Sequence, residues 1–197
     1  INKLKIKHLI AGKDFRFGHK GAGDFNLLSK LSNDNNFNLY QAKEVEVENK
    51  RVSSTWVRDA LKTGDFKLVA NLLGREYVLS GKIGYGAQLG RSIGFATINL
   101  KLPNNIALSG VFCVKVEFID QDKMVNGVAN VGFRPTVSKD KKRCLLEVHL
   151  LGFNEDVYGQ KVKVYFYKKL RDEKKSASLD NLKAQLSKDI KAGIDYF

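Results

Sequence analysis

Residues 81–100 read GKIGYGAQLGRSIGFATINL, and five of the chain's 17 glycines fall within this stretch. Glycine lets the backbone adopt positive φ and approach a ligand closely, and backbone N–H groups exposed in this way bind anions. Composition alone favours a simpler interpretation, a pair of tight turns between strands. Two common phosphate loops do not match: Tyr85 stands where the Walker pattern needs glycine, and Leu89 replaces the third glycine of the protein-kinase loop.

Strand-like segments separated by turns surround and follow this stretch. They run over residues 77–83, 111–119, 124–131, 144–151 and 161–167. Helical periodicity returns at residues 178–194, where one face carries Leu179, Leu182, Leu186 and Ile190. This pattern predicts a small antiparallel β-barrel or sheet with a C-terminal helix that covers it.

Residues 1–74 show a different pattern, in which strands and helices alternate. Residues 4–11 and 44–48 are strand-like, and helices are predicted at 25–31, after Ser53 or Ser54, and at 65–73. Asp24 is suited to cap the first of these helices, and Gly74 ends the last. Such alternation is typical of an α/β unit. We therefore place a domain boundary after residue 74, with the barrel and helix in residues 75–197.

The length and composition suit one large or two small domains, with 197 residues of which 43% are apolar. The sequence has no run of 18 apolar residues and no secretory signal, so we expect no membrane span and a cytoplasmic protein. The first residue is Ile1 rather than Met, which indicates a fragment or a chain whose natural start lies outside this sequence.

The net charge of +13, from 34 basic and 21 acidic residues, favours anionic partners. The lysines are spread along the chain, so a solvated basic surface is favoured over a nucleic-acid face, and no nucleic-acid partner is expected. Cys113 and Cys144 are predicted to be buried, reduced thiols. The three histidines share no metal-ligand spacing with them, so no zinc site is predicted.

Two upstream segments combine groups that bind anions. Residues 12–24 alternate aromatic and charged side chains between glycines, which suits stacking on a flat ring or holding a phosphate; an ordinary loop is the alternative. At the start of the next helix, free N–H groups, hydroxyls and Arg58 would together form an anion site. A capped helix with nothing bound is the alternative there.

Several motifs, taken in order, resemble one enzyme family. Gly90-Arg91-x-x-Gly94-Phe-Ala96-Thr97-x-Asn99 is similar to the riboflavin kinase signature G-R-x-x-G-x-P-T-A-N. Residues 130–136 resemble the second loop of that family. Residues 146–149 resemble its catalytic strand, and residues 156–159 resemble the turn that follows this strand. Residues 170–173 resemble the segment before its last helix. Residues 12–18 and 53–58 resemble the latter part of an FMN adenylyltransferase domain. The resemblance spans the chain and is to the bacterial bifunctional riboflavin kinase/FMN adenylyltransferase (FAD synthetase) family.

The resemblance implies an α/β remnant of a Rossmann-like nucleotidyltransferase domain in residues 1–74, followed by a riboflavin kinase-like β-barrel. It implies transfer of the γ-phosphoryl group of ATP, with Mg²⁺, to the ribityl 5′-hydroxyl of riboflavin, giving FMN and ADP. Glu147 would accept the hydroxyl proton, and Thr97 and Asn99 would hold the metal. The groups implied to bind ATP and its phosphates are Gly84, Gly86, Gly90, Arg91, Gly94, Thr97 and Asn99. Weaker flavin contacts are implied for Arg134, Thr136, Arg171 and Glu173, and surface ion pairing is the alternative for the two arginines. The adenylyltransferase remnant would contribute Asp14, Phe15, Arg16, Phe17, Ser53, Ser54, Thr55 and Arg58.

The sequence departs from the family pattern in three places. The H-x-G-H nucleotide motif is absent, so FAD synthesis is expected only where that portion is present. Ala96 and Ile98 replace the proline and alanine of P-T-A-N, which loosens the backbone. Trp56 replaces a basic residue.

Two alternatives remain open: a basic β-barrel that binds nucleic acid, and a flavin-binding fragment without turnover. The oligomeric state has no signature in the sequence.

Overall fold

The computed structural model describes residues 5–85, 97–103, 106–135, 142–174 and 178–197. The chain forms two compact units, Ile1–Val52 and Ser53–Phe197. The division between the units thus falls earlier than the predicted domain boundary after residue 74. The reason is that the two helices between residues 53 and 74 belong with the β-sheet of the second unit.

The first unit contains a β-α-β arrangement. Strands β1 (His8–Ala11) and β2 (Asn38–Gln41) pair in parallel, and helix α1 (Phe25–Asp34) connects them. The Asp24 carboxylate accepts a hydrogen bond from Leu27 N at 2.9 Å, which confirms the predicted N-cap. Two short strands, β3 (Glu46–Val47) and β4 (Lys50–Arg51), form an antiparallel hairpin.

The second unit begins with two helices, α2 (Ser54–Thr63) and α3 (Phe66–Leu73). Ser53 caps α2 by accepting from Trp56 N, and Asp65 caps α3 by accepting from Leu68 N. Each helix ends at a glycine in the left-handed conformation, Gly64 at φ 81° and Gly74 at φ 67°. The predicted helix at residues 65–73 is confirmed.

An antiparallel sheet of six strands forms most of the second unit. The strands are β5 (Val78–Lys82), β6 (Thr97–Leu102), β7 (Gly110–Phe118), β8 (Lys123–Pro135), β9 (Lys142–Leu150) and β10 (Lys161–Arg171). Their order is β5-β10-β7-β8-β9-β6, and every neighbouring pair is antiparallel. Beyond the end of β5, Gly84 N donates to Asn99 O of β6 at 2.9 Å. This bridge joins the two edges of the sheet, which therefore nearly closes into a barrel.

The interior of the sheet is apolar. Alternate residues of each strand point inward, and those with no measurable exposure include Leu100, Phe112, Val114, Val116, Phe118, Ala129, Val131, Leu146, Val148, Val162 and Val164. Phe66 of α3 packs against Phe112 and Phe166, with ring centroids 5.8 and 5.7 Å apart, and so anchors the helical pair to the sheet. Cys113 and Cys144 are buried thiols, and burial raises the pKa of both.

The C-terminal helix α4 (Leu179–Tyr196) begins at Ser178, which accepts from Asn181 N, and it contacts β7 and β8. Its buried residues are Asp189 and Gly193. Leu179, predicted on the packed face, is 66% exposed because it lies in the first turn. Among the described helices, none combines the length and the apolar character needed to cross a membrane.

Candidate active site

Asn99 and Glu147 occupy directly opposed positions on β6 and β9, and Thr97 opposes His149 in the same pair. Ile98 and Leu100 point into the barrel, so Thr97 and Asn99 lie on its outer face. On β9 the buried residues Leu146 and Val148 likewise alternate with half-buried Glu147 and His149. The sheet therefore brings three predicted site residues, Thr97, Asn99 and Glu147, to one surface.

The Asn99 side chain has an unusual environment. The residue is only 6% exposed, and its Oδ1 atom has no hydrogen-bond partner within the described part of the chain. Burial of an unsatisfied amide oxygen costs about 1–3 kcal/mol. A buried oxygen without a protein donor is what a hard cation requires, and the Thr97 hydroxyl is a second oxygen ligand on the same face. Thr97 and Asn99 therefore fit Mg²⁺, which takes few protein ligands and retains several waters.

A cavity of about 340 Å³ adjoins this surface at β6. Thr97 and Ile98 line it, together with Ile83, Leu150 and residues 153–158 of the turn that follows β9. Tyr158 of that turn stacks on Tyr85, with ring centroids 4.3 Å apart and planes 22° from parallel. The cavity thus combines apolar and aromatic side chains with polar ones, which are Thr97, Asn154, Glu155 and Asp156. Such a mixed lining suits a heterocyclic ligand that also carries polar groups.

The other residues predicted to bind ATP are only partly described. Gly84 forms the bridge to Asn99 that joins the sheet edges. Gly86, Gly90, Arg91 and Gly94 lie outside the described residues, as do Ala96 and Thr136. For Arg134 the structure describes the backbone in β8 and not the side chain.

Arg171, a predicted flavin contact, is held in an ion pair with the C-terminal helix. Its Nε donates to Asp189 Oδ1 at 2.9 Å and its Nη2 to Asp189 Oδ2 at 2.6 Å, while Gln185 Nε2 also donates to Oδ1 at 2.9 Å. Asp189 is 4% exposed, so the pair is largely removed from water. The ion pair fixes α4 against the end of β10 and commits the guanidinium to a protein partner.

Glu173, the other described residue of the predicted flavin set, lies over Gly132 of β8. A Cβ atom added at Gly132 would lie 2.1 Å from Glu173 Oε1, so glycine allows this close approach. Gly132 is two residues from Asn130, which directly opposes Glu147 on the other side of β9 from Asn99. Asn130 is not among the site residues predicted from the sequence, although it is the first residue of the segment 130–136 that resembles the second loop of the family.

The predicted adenylyltransferase residues divide between the two units. In the first unit, Arg51 Nη2 donates to both carboxylate oxygens of Asp14, at 2.9 and 3.0 Å, and this hydrogen bonding holds the pKa of Asp14 below its usual value. Phe15 and Phe17 stack at 5.9 Å, and Arg16 lies 3.6 Å from Asp24. Ser53, Ser54, Thr55 and Arg58 belong to the second unit, at the start of α2, where the Ser53 hydroxyl serves as the cap.

The described residues contain no group of three or more His, Cys, Asp or Glu side chains suited to a metal ion. Thr97 and Asn99 differ from such a group because they offer a hydroxyl oxygen and an amide oxygen. This pair of oxygens is the arrangement on the surface that fits a cation. Together with Glu147 and the adjoining cavity, it forms the candidate site.

Comparison with known proteins agrees with the resemblance. A family model described as riboflavin kinase matches residues 73–197, and one described as FAD synthetase matches residues 1–56. A bifunctional riboflavin kinase/FMN adenylyltransferase of Buchnera aphidicola is 40% identical over 199 residues, covering 100% of this chain and 64% of that protein. Its counterpart in Escherichia coli K12 is 39% identical, with coverage of 100% and 62%.

The crystal structure of a macrolide-efflux protein from Streptococcus pneumoniae is also similar. It is 32% identical, with a TM-score of 0.67 over 95% of this chain and 60% of the other. The chain thus spans less than two thirds of the length of these relatives. The family model that covers the whole barrel and the C-terminal helix shows that this chain belongs to the riboflavin kinase family.

Proposed function

We propose that this protein is a riboflavin kinase, which transfers the γ-phosphoryl group of ATP to the ribityl 5′-hydroxyl of riboflavin to give FMN and ADP. The observation that carries the proposal is the opposition of Asn99 and Glu147 across β6 and β9, in a chain of the riboflavin kinase family. This pairing puts an oxygen ligand for a cation beside a carboxylate base. Phosphoryl transfer needs both groups close to the transferred phosphate.

Glu147 is the proposed general base. Its carboxylate accepts the proton of the 5′-hydroxyl as the oxygen forms its bond to the γ-phosphorus, and the bond between that phosphorus and the leaving oxygen of ADP breaks. General-base action of a positioned carboxylate contributes about 10²–10⁴-fold to the rate. Glu147 is half-buried at the centre of a strand, which restricts its rotamers more than a loop position would.

Thr97 and Asn99 are the proposed ligands of Mg²⁺ bound with ATP. When bound, the ion neutralises charge on the phosphates. Asn99 is poised for this role by its buried Oδ1, which needs no side-chain movement away from another partner in the described chain. The adjoining cavity beside Thr97 is the proposed position of the nucleotide base. We assign the phosphate contacts to Gly84, Gly86, Gly90, Arg91 and Gly94 on the family resemblance.

For the N-terminal part, we propose descent from an FMN adenylyltransferase domain of Rossmann-like fold, in residues 1–74, with the kinase in 75–197. The match of residues 1–56 to the FAD synthetase model supports this, as does the parallel β-α-β arrangement of β1, α1 and β2. In a protein that also carries the H-x-G-H portion, we propose that FMN is converted further to FAD. A cytoplasmic location and the absence of a nucleic-acid partner stay predictions.

The direct test is to incubate the protein with riboflavin, ATP and Mg²⁺ and to separate the products. The proposal predicts FMN and ADP in equal amounts. Quenching of flavin fluorescence without FMN would instead support a flavin-binding fragment. Neither signal, combined with salt-sensitive binding of an oligonucleotide, would support a nucleic-acid-binding barrel. Omission of Mg²⁺ should abolish FMN formation.

A further inference from the structure

Three polar residues lie in one row across neighbouring strands. Asn99 of β6 opposes Glu147 of β9, and Glu147 opposes Asn130 of β8. Asn130 is half-buried between Ala129 and Val131, which point into the barrel with no measurable exposure, so its amide lies on the outer face with Glu147. The carboxylate therefore has an amide on each side.

The two sides of this row differ. On the Asn99 side are Thr97, the buried amide oxygen and the 340 Å³ cavity. On the Asn130 side the next residue in the row is Val111 of β7, which is 3% exposed, and beyond it Arg171 is held by Asp189. The side of Asn99 thus has the features of a metal and nucleotide site. The side of Asn130 ends at an apolar residue and a satisfied ion pair.

The chemistry of the transfer assigns the second side to the acceptor. The attacking oxygen and the leaving oxygen lie in line on opposite sides of the phosphorus. With the donor on the Asn99 side, the acceptor hydroxyl reaches Glu147 from the Asn130 side. Opposed residues of antiparallel strands have Cβ atoms about 4.5–5.5 Å apart, so one ligand chain can contact both Glu147 and Asn130.

The Asn130 side also provides the functional groups that a polyol needs. An amide both donates and accepts hydrogen bonds, which matches a hydroxyl that does the same. The Glu173 carboxylate lies over Gly132, two residues from Asn130 on the same face of β8. Two polar side chains thus flank this side of Glu147, and both lie away from Asn99.

We propose that Asn130 is a substrate-binding residue whose amide bonds a hydroxyl of the ribityl chain and thereby determines which hydroxyl reaches Glu147. This inference rests on the proposed kinase function and extends it to the recognition of the acceptor. It predicts that Asn130 contributes to binding of flavins with a polyol chain and not to binding of the ring or of ATP.

The test compares riboflavin with lumiflavin, which has the same ring system and a methyl group in place of the ribityl chain. Dissociation constants are measured by flavin fluorescence for the wild type, Asn130→Ala and Asn126→Ala. Asn126 is the matched control, because it lies on the same face of β8 and opposes Lys115 instead of Glu147. Asn130→Ala should weaken riboflavin binding about 10-fold, the loss of one well-placed hydrogen bond. Lumiflavin binding and the KM for ATP should not change in this variant. Asn126→Ala should leave the dissociation constants of both flavins unchanged.

The inference would be overturned if Asn130→Ala weakened the binding of both flavins equally. It would also be overturned if this variant left the dissociation constant of riboflavin unchanged or raised the KM for ATP. Asn130→Ser retains a hydroxyl donor and acceptor and serves if the alanine variant does not fold; it should bind riboflavin less tightly than the wild type. A wild-type protein that forms FMN while Asn130→Ala and Asn130→Ser bind riboflavin normally would refute this inference alone. A wild-type protein that binds no flavin would refute the proposed function as well.

Discussion

Asn99 and Glu147 face each other across the β6–β9 pair, and the amide oxygen of Asn99 is buried without a hydrogen-bond partner in the described part of the chain. A fold selected for stability alone would satisfy this oxygen or replace the residue. The arrangement is therefore a local cost at the centre of the candidate site, of the kind that functional sites carry.

Replacing Asn99 with leucine, a side chain of similar shape, should separate stability from function. Removal of a buried, unsatisfied polar group should leave the free energy of unfolding unchanged or raise it. FMN formation should fall at least about 100-fold, because the metal and phosphates lose a ligand. Urea unfolding and the product assay measure the two effects. A variant destabilised by about 2 kcal/mol or more with normal turnover would identify Asn99 as a structural residue.

The ion pair between Arg171 and Asp189 should stabilise the attachment of α4. Asp189→Ala leaves a guanidinium that is largely buried without its partner, and we expect a loss of about 3 kcal/mol. Asp195 of the same helix is exposed, and Asp195→Ala should change the stability by less than about 0.5 kcal/mol. Chemical denaturation of the two variants measures both values. Equal stabilities would show that the pair does not hold the helix.

Two glycines offer a matched test of the contact between α2 and β10. Gly64 and Gly74 both end helices with positive φ, but a Cβ at Gly64 would lie 2.4 Å from Lys169 Cβ, whereas nothing lies within 4 Å at Gly74. Gly74→Ala should cost about 1–2 kcal/mol for the left-handed backbone alone. Gly64→Ala should lower the free energy of unfolding by about 1 kcal/mol more than Gly74→Ala does, because the added Cβ would be overpacked against Lys169. Similar losses in thermal unfolding would exclude a close packing of Lys169 beneath α2.

Glu117 should make the stability depend on pH. Hydrogen bonds from Lys163 Nζ at 2.9 Å and from the Tyr165 hydroxyl lower its pKa from the ordinary value of 4.5. A lowered folded-state pKa contributes stability that is present above pH 4.5 and is lost as the pH falls through the folded-state value. The difference in unfolding free energy between the wild type and Glu117→Gln should therefore be largest near neutral pH and should shrink in acid. Tyr165→Phe should show the same trend more weakly; a difference independent of pH would contradict the assignment.

Five of the six strands described in the barrel, and the C-terminal helix, could be predicted because period-two alternation and helical periodicity are local properties of the sequence. The family resemblance likewise points to Thr97, Asn99 and Glu147, and the structure brings these three residues to one surface. Strand β6 is not among the predicted strands, because Thr97–Leu102 directly follows a polar, glycine-rich stretch. The alternation of Ile98 and Leu100 with polar neighbours was the available signal.

Other features depend on pairing between distant segments, which local patterns do not encode. The register that opposes Asn130 to Glu147 is set by the β8–β9 pairing, so the sequence motif alone did not reveal the relationship. The partner of Arg171 lies 18 residues away on another element, and its ion pair with Asp189 could not be deduced from the motif. The helices at residues 53–74 joined the barrel unit because Phe66 packs on the sheet, a tertiary contact that overrides the α/β pattern.

Glu147 is the proposed base of the phosphoryl transfer, and the turnover of Glu147→Gln tests this role directly. The glutamine side chain retains the shape and loses the capacity to take a proton, so kcat should fall by about 10²–10⁴-fold while binding of riboflavin and ATP is retained. Glu117→Gln is the matched control in the same sheet and should retain turnover at neutral pH. Turnover of Glu147→Gln near that of the wild type would contradict the account.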